Sequence, residues 1–357
     1  MVVWKNHFRG VLSVLVVLGG LLAACGPTTR PSDLATRQSA AVSPGDSTPV
    51  PTVAGTPVAF PLIAKQGESS SAALPVQSPE VPTQTPAFIP TNTSDLSIRF
   101  AVIGDYGGGG APEADVASLL ASWQPDLVIT VGDNNYPDGA AETIDANIGQ
   151  FYRAFIHPYQ GGYGQGADIN RFFPTLGNHD WTTDNAQPYL DYFTLPGNER
   201  YYDFTWGPVH FFALDSDSRE PDGVGSSSPQ AAWLQAGLAS STAPWNIVYM
   251  HHPPYSSGMH GSVDWTRWPY QEWGADAVLS GHDHTYERLL VDGFPYFING
   301  LGGGAIYYFV DILDGSQIRY NDDYGAMLVD ADPGQITFQF ITRQGVTVDT
   351  FTLEKSP

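Results

Sequence analysis

Apolar and polar positions along the 357-residue chain fall into three regimes. Residues 1–25 open with Lys5 and Arg9 and pass into an apolar stretch over residues 11–22. That stretch is shorter than the ~20 residues a helix needs to cross a bilayer. Residues 26–95 are rich in Pro, Ser, Thr, Ala and Val and keep neither a 3.6- nor a 2-residue period. Such a segment cannot bury enough apolar surface to offset its ordering entropy, so a semi-extended tether is predicted. Residues 96–357 are patterned throughout. Apolar runs predict strands at 98–103, 127–131, 172–176, 201–205, 209–214, 247–250 and 277–280. Helical spacing predicts helices at 113–123, 144–154, 229–239 and around 263–273. Beyond Leu289 the pattern turns to β, with Gly-punctuated runs at 326–329, 335–341 and 346–353. With no internal repeat, this is one α/β domain with a β-rich end.

The chemistry sits where the apolar strands stop. Ile103 is followed by Gly104-Asp105-Tyr106-Gly107, Val131 by Gly132-Asp133-Asn134-Asn135-Tyr136, and Leu176 by Gly177-Asn178-His179-Asp180. Met250 is followed by His251-His252, and Ser280 by Gly281-His282-Asp283-His284. In α/β sheets the loops beyond the carboxyl ends of strands bind ligands, and glycine lets the chain turn sharply there. Two Asp, one Tyr, one Asn and three His form a mixed oxygen and nitrogen donor set without thiolate. Such a set excludes a structural zinc knuckle and suits Fe, Zn or Mn. Taken singly, a Gly-Asp at a strand end is more often a turn than a ligand, and Asn178-His179 could be a helix cap beside a surface histidine.

Taken in chain order, the five blocks resemble the calcineurin-like metallophosphoesterases, and within them the purple acid phosphatases. That family's pattern is GDxG, GDxxY, GNH followed by Asp or Glu, VxxH, and GHxH, and all five blocks are complete between Phe100 and Arg288. The resemblance implies an αββα sandwich of two mixed β-sheets flanked by helices. It implies a dinuclear metal centre: Fe(III) on Asp105, Tyr136 and His284, and Zn, Mn or Fe(II) on Asn178, His251 and His282, with Asp133 bridging. Other members carry Asp-x-His in the first block; here that position is Gly107, and Tyr136 supplies the missing ligand. Two metals about 3.5–4 Å apart can clamp a phosphoryl group and acidify a bound water enough to supply a hydroxide nucleophile. Family members place further histidines at His179 and His260, where general-acid help to the leaving group is expected. His252 is expected either to pack or to touch phosphate. Glu287 and Arg288 are expected to be structural and paired with each other. Trp265, Trp268, Tyr270 and Trp273 are expected to be core or to line a groove beside the site.

Charge and cysteine use narrow the setting. A net charge of -22 argues against nucleic acid, whose backbone needs clustered Lys and Arg. An anionic substrate must then be drawn in by something local and positive, such as bound metal. The single cysteine, Cys25, ends Leu22-Ala23-Ala24-Cys25, which resembles the lipobox of bacterial lipoprotein signal peptides. That resemblance implies a diacylated Cys25 anchoring the protein outside the cytoplasmic membrane. The expected activity is hydrolysis of phosphate monoesters, a small phosphorylated substrate being the expected partner. A phosphodiesterase or nucleotidase on the same metals is a second reading. A noncatalytic surface or metal-binding lipoprotein is a third.

Overall fold

Runs apolar on both faces need cover on both faces, and the strands that open the domain receive it. The computed structural model describes residues 97–355; the leader with Cys25 and the tether expected over residues 1–95 lie outside the described residues. In chain order the first half comprises β1 (Ile98–Ile103), α1 (Ala111–Ser122), β2 (Leu127–Thr130), α2 (Ala141–Ile144), α3 (Gln150–Tyr152), β3 (Phe172–Pro174), α4 (Gln187–Tyr192), β4 (Tyr202–Trp206) and β5 (Val209–Ala213). The second comprises α5 (Pro229–Ser240), β6 (Trp245–Tyr249), α6 (Tyr270–Trp273), β7 (Ala277–Ser280), β8 (Tyr286–Val291), β9 (Phe294–Asn299), β10 (Ser316–Tyr320), β11 (Gly325–Ala331), β12 (Gln335–Thr342) and β13 (Thr347–Glu354).

The strands form two mixed sheets, ordered β13-β12-β11-β1-β2-β3 and β10-β8-β9-β7-β6-β5-β4. β1, β2 and β3 run parallel in the first, and β5, β6, β7 and β9 in the second. The inner faces meet through aromatic pairs: Phe100 with Phe211 at 5.0 Å, Phe297 with Phe338 at 4.8 Å, and Tyr286 with Phe340 at 4.2 Å between ring centroids. Outside the first sheet, Val116 and Leu120 of α1 and Tyr152 of α3 join the main core. Outside the second, Leu234 and Leu238 of α5 and Tyr270 of α6 close over Phe212, Val248 and Val278. The result is the expected helix-sheet-sheet-helix sandwich.

Two helix expectations need correction. The run expected at 144–154 is helical but interrupted, with a π turn over Asp145–Gly149 between α2 and α3 and a 3-10 turn over Arg153–Phe155 after them. There the Asp145 carboxylate accepts from the hydroxyls of Tyr159 and Tyr192 and from the Gly162 N–H. The helix expected around 263–273 reduces to a 3-10 turn at Asp264–Thr266 and the single turn of α6. Pro269 disfavours α geometry at the residue before it, and Gly274, at φ 105°, ends the turn.

Glu287 and Arg288 are structural, but they do not pair with each other. Neighbours on a strand point to opposite faces. Buried Glu287 accepts from the N–H and hydroxyl of Ser257 and from the Ser316 hydroxyl. Arg288 pairs with Asp349 of β13 at 2.7 Å, tying the two sheets together.

Candidate metal centre

Five parallel strands, three from one sheet and two from the other, aim their carboxyl ends at one point on the seam between the sheets. The loops after β1, β2 and β3 bring Asp105, Asp133 and Asn178, and those after β6 and β7 bring His251, His282 and His284. Tight turns aim them: Asp105, Asp133 and His282 all hold positive φ, at 54°, 53° and 69°. The sheets are stitched here by side chains. The His282 N–H donates to Asp105 Oδ2 at 3.0 Å, and His251 Nδ1 donates to the Val131 carbonyl at 2.9 Å.

The donor atoms fall into two groups that share Asp133. In the first, Tyr136 Oη lies 3.0 Å from His284 Nε2, 3.1 Å from Asp133 Oδ2 and 3.4 Å from Asp105 Oδ1. In the second, His251 Nε2 lies 3.0 Å from Asn178 Oδ1, 3.2 Å from His282 Nδ1 and 3.5 Å from Asp133 Oδ2. Donors bound at about 2.0–2.2 Å to one cation stand about 3–3.5 Å apart, so these spacings are those of a coordination shell. Tautomers agree. His251 and His284 each give Nδ1 to a backbone carbonyl, Val131 and Ala305, which leaves both Nε2 lone pairs facing other acceptors. Without a cation that convergence is electrostatically costly. Burial and the neighbouring carboxylates push the Tyr136 phenol well above its ordinary range. Burial lowers His251 and His284, yet the Asp105 and Asp133 carboxylates outweigh it and raise both. Burial and the crowd of histidines drive His282 far down. A positive ion among these donors relieves each conflict, so the residues present fit a bound metal.

All seven residues expected as ligands are brought together. Gly107 accounts for the absent first-block histidine: a Cβ there would lie 1.8 Å from the Asn134 carbonyl oxygen, so no side chain fits. His179 stands half-buried at the rim, its ring edge-on to Tyr136 at 4.6 Å and its Nε2 3.9 Å from Asp133 Oδ2. His260 is exposed, its ring 4.4 Å from that of His282, on a loop held by its own N–H to Asp283 Oδ1 at 2.8 Å. His252 is buried, and a hydroxyl fixes it: the Ser216 oxygen accepts its backbone N–H and faces Nδ1 at 3.0 Å. Burial lowers it to about 3, so the ring is neutral. By distance alone it groups with His251 and His282 as a third potential ligand. The aromatic segment divides: Trp268 and Tyr270 are core, while Trp265 is 45% exposed and its ring lies 6.2 Å from that of His252.

Several supporting contacts are not written in the motifs, although Asp180 itself completes the third block. Buried Asp180 accepts from the N–H groups of Asn134 and Gly177 and from the Asn134 amide, locking two ligand loops together. Arg219, paired bidentately with Asp217 at 2.7 and 2.8 Å, donates to the backbone carbonyl of Asn178 at 2.9 Å and sets its guanidinium at the rim. Tyr307 stacks on His284, with ring centroids 4.1 Å apart and planes within 6°. A signal for that last contact was present in the triple glycine Gly302–Gly304. A Cβ on Gly304 would come within 2.9 Å of the His284 ring.

This chain belongs to the calcineurin-like phosphoesterase family, whose model matches residues 98–286. Among curated proteins, the chain is 27% identical to purple acid phosphatase 17 of Arabidopsis thaliana over 257 residues, which are 61% of this chain and 72% of that protein. It is 26% identical to purple acid phosphatase 7 of the same plant over 296 residues, 73% of this chain and 88% of that one. Another such relative is Fe(3+)-Zn(2+) purple acid phosphatase 12, also of that plant, at 26% over 244 residues, 60% of this chain and 49% of that one. Among solved structures, the yellow lupin purple acid phosphatase PPD1 superposes with a TM-score of 0.57 at 19% identity, over 72% of this chain and about half, 54%, of that one. The Plasmodium protein GAP50 gives 0.54 at 19% over 73% and 90%. These two likenesses bear on the fold.

Proposed function

We propose that the protein hydrolyses phosphate monoesters at a dinuclear metal centre of the purple acid phosphatase type. Asp105, Tyr136 and His284 would hold Fe(III); Asn178, His251 and His282 would hold Zn, Mn or Fe(II); Asp133 would bridge. The observation that carries this reading is the convergence of Asp105, Asp133 and His284 on the Tyr136 oxygen within 3.4 Å. Three oxygens that can bear negative charge favour a trivalent ion, whereas one amide and two imidazoles suit a divalent one. Bound metals would supply charge for the phosphoryl oxygens and an acidified water as nucleophile.

The chain's own residues would do the rest. Arg219 orients the anion from the Asn178 side. His252, with Nδ1 facing the Ser216 hydroxyl, offers Nε2–H as a donor. His179 Nδ1–H donates a hydrogen bond to the Pro137 carbonyl, which turns the Nε2 lone pair toward the rim. His260, exposed beside His282, is placed to protonate the leaving alkoxide, help of a kind typically worth about 10²–10⁴ in rate.

Metal analysis with a visible spectrum of the purified protein, alongside phosphate release from phenyl phosphate, bis-phenyl phosphate and nucleotides, tests this. Iron with a broad charge-transfer band and monoester turnover is the expected result. Zinc or manganese alone, without colour, would overturn the Tyr136 assignment, and no phosphate release from any ester would overturn the hydrolase. The proposed setting, outside the cytoplasmic membrane on a lipidated Cys25, predicts fatty-acid labelling that Cys25→Ser abolishes; equal labelling of both forms would refute it.

A further inference from the structure

The loop of residues 305–313, Ala-Ile-Tyr-Tyr-Phe-Val-Asp-Ile-Leu, holds a single charged side chain, Asp311. It starts at the site: Ala305 accepts from His284 Nδ1, and the Tyr307 N–H donates to the His284 carbonyl at 3.0 Å. Tyr307 covers the His284 ring and comes within 5.4 Å of the His260 ring. Both ends are anchored, Ile306 against the main core and Leu313 against the second. The middle is tied to the His260 loop. The Val310 N–H donates to the Ser257 carbonyl at 2.9 Å, and Gly258 pairs antiparallel with Phe309.

That pairing sets Met259 opposite Tyr308, and extended alternation puts Tyr308 and Val310 on one face. Tyr308 is 61% exposed, Val310 and Ile312 are each 52% exposed, and Met259 is 38% exposed. The anchoring is therefore complete without these four side chains, which add little to the core and stand in water beside the candidate metal centre. Apolar surface gathered at one place marks a contact. The segment that carries the loop is acidic: residues 289–318 hold Asp292, Asp311 and Asp314 and neither Lys nor Arg, while across from it Asp264 is paired with Arg267 at 2.8 Å.

We infer that this rim receives the alcohol portion of the substrate and selects phosphate monoesters of uncharged, apolar or aromatic alcohols over nucleotides and other polyanions. The inference rests on the proposed phosphomonoesterase. With the phosphoryl group at the Asp133 centre, the leaving oxygen faces His260, and the ester's carbon chain runs out along Tyr307, Met259, Tyr308 and Val310. An open rim covers such a chain on one side, so each added methylene strengthens binding about twofold, half of the effect of full burial.

The test is phosphate release from methyl, butyl and octyl phosphate, kept below micellar concentrations, and from AMP. It is paired with calorimetric binding of methyl-, butyl- and octylphosphonate, which cannot be hydrolysed. Expected are kcat/KM and affinity rising about eightfold from methyl to butyl, a heat-capacity change that grows more negative with chain length, and AMP below butyl phosphate. Tyr308→Ser with Val310→Ser should flatten the gradient while circular dichroism and metal content match the wild type. A wild-type series flat in both rate and affinity overturns the inference and leaves the phosphatase standing. Affinity that climbs with chain length while no ester is hydrolysed overturns the phosphatase and leaves the apolar rim standing. A flat series accompanied by stimulation on phosphatidylcholine vesicles, or by a dimer that the double variant dissolves, makes the rim a membrane or self-contact and overturns the substrate assignment.

Discussion

Tyr136→Phe separates a ligand from a buried phenol. The ring has its packing from His179 at 4.6 Å, which phenylalanine keeps, so the substitution removes one oxygen and little else. In metal-free protein that hydroxyl donates one hydrogen bond at a time, to Asp133 at 3.1 Å or Asp105 at 3.4 Å. Its loss should cost about 1.5–3 kcal/mol, the value of one bond to a charged acceptor. On the proposed assignment, the same oxygen would be one of the donors around the first ion in metal-loaded protein. Removing groups that merely support a ligand weakens metal affinity about 10–100-fold, so losing a ligand should cost at least 100-fold. A 100-fold loss lowers the stabilisation that metal confers by about 2.7 kcal/mol. In a domain of this size that is a Tm difference of roughly 5–10 °C. Thermal denaturation of wild type and variant, each with and without iron, reads this as a smaller metal-dependent shift, and the visible band should vanish. If the variant keeps the full iron-dependent shift and the same band, Tyr136 is not a ligand and the iron assignment falls.

Three further outcomes follow from neighbouring geometry. Asp349→Ala strands Arg288, 11% exposed, and the Tyr286 hydroxyl between the sheets, and should destabilise by about 3–5 kcal/mol in urea unfolding. A loss under 1 kcal/mol would mean that the pair does not join the layers. Burial raises the carboxyl of Glu113 to about 9, and only the glycine N–H groups before α1 oppose the shift. Folding therefore holds a proton that the unfolded chain releases in the ordinary carboxyl range, so this stabilisation is full below that range and is lost as pH rises to about 9. Glu113→Gln should gain on wild type by roughly 2–4 kcal/mol between pH 5 and 8, at 1.36 kcal/mol per pH unit and discounted for relaxation; parallel stability curves would refute it. His260→Ala should lower kcat about 10²–10⁴-fold on alkyl phosphates, which need a proton on the leaving oxygen, and less than tenfold on 4-nitrophenyl phosphate. Equal losses on both would remove His260 from proton transfer.

What the sequence alone determined was local. Each expected ligand follows a predicted apolar strand by one to five residues, and a strand together with its turn is written in consecutive positions; hence Asp105, Asp133, Tyr136, Asn178, His251, His282 and His284 could all be picked out as candidates that the structure brings together, and the layered fold their family implies was legible too. Where helices break was less so, because the π turn at Asp145 depends on hydroxyls from Tyr159 and Tyr192, and α6 on a proline inside an otherwise helical spacing. Only the tertiary structure decided which distant groups meet at the site. Asp180 stands in the third block and Glu287 was expected to be structural, but no motif says that Asp180 binds Asn134 across 46 residues, that Glu287 holds Ser257 across 30, or that Tyr307 covers His284 across 23. The apolar rim shows the same division. Its composition reads as ordinary core, and only the Gly258–Phe309 bridge and the burial of the loop's two ends reveal that the middle faces water beside the metal ligands. Pairing between segments far apart in the chain is set by packing and by unpaired polar groups, quantities that exist only once both segments are in place.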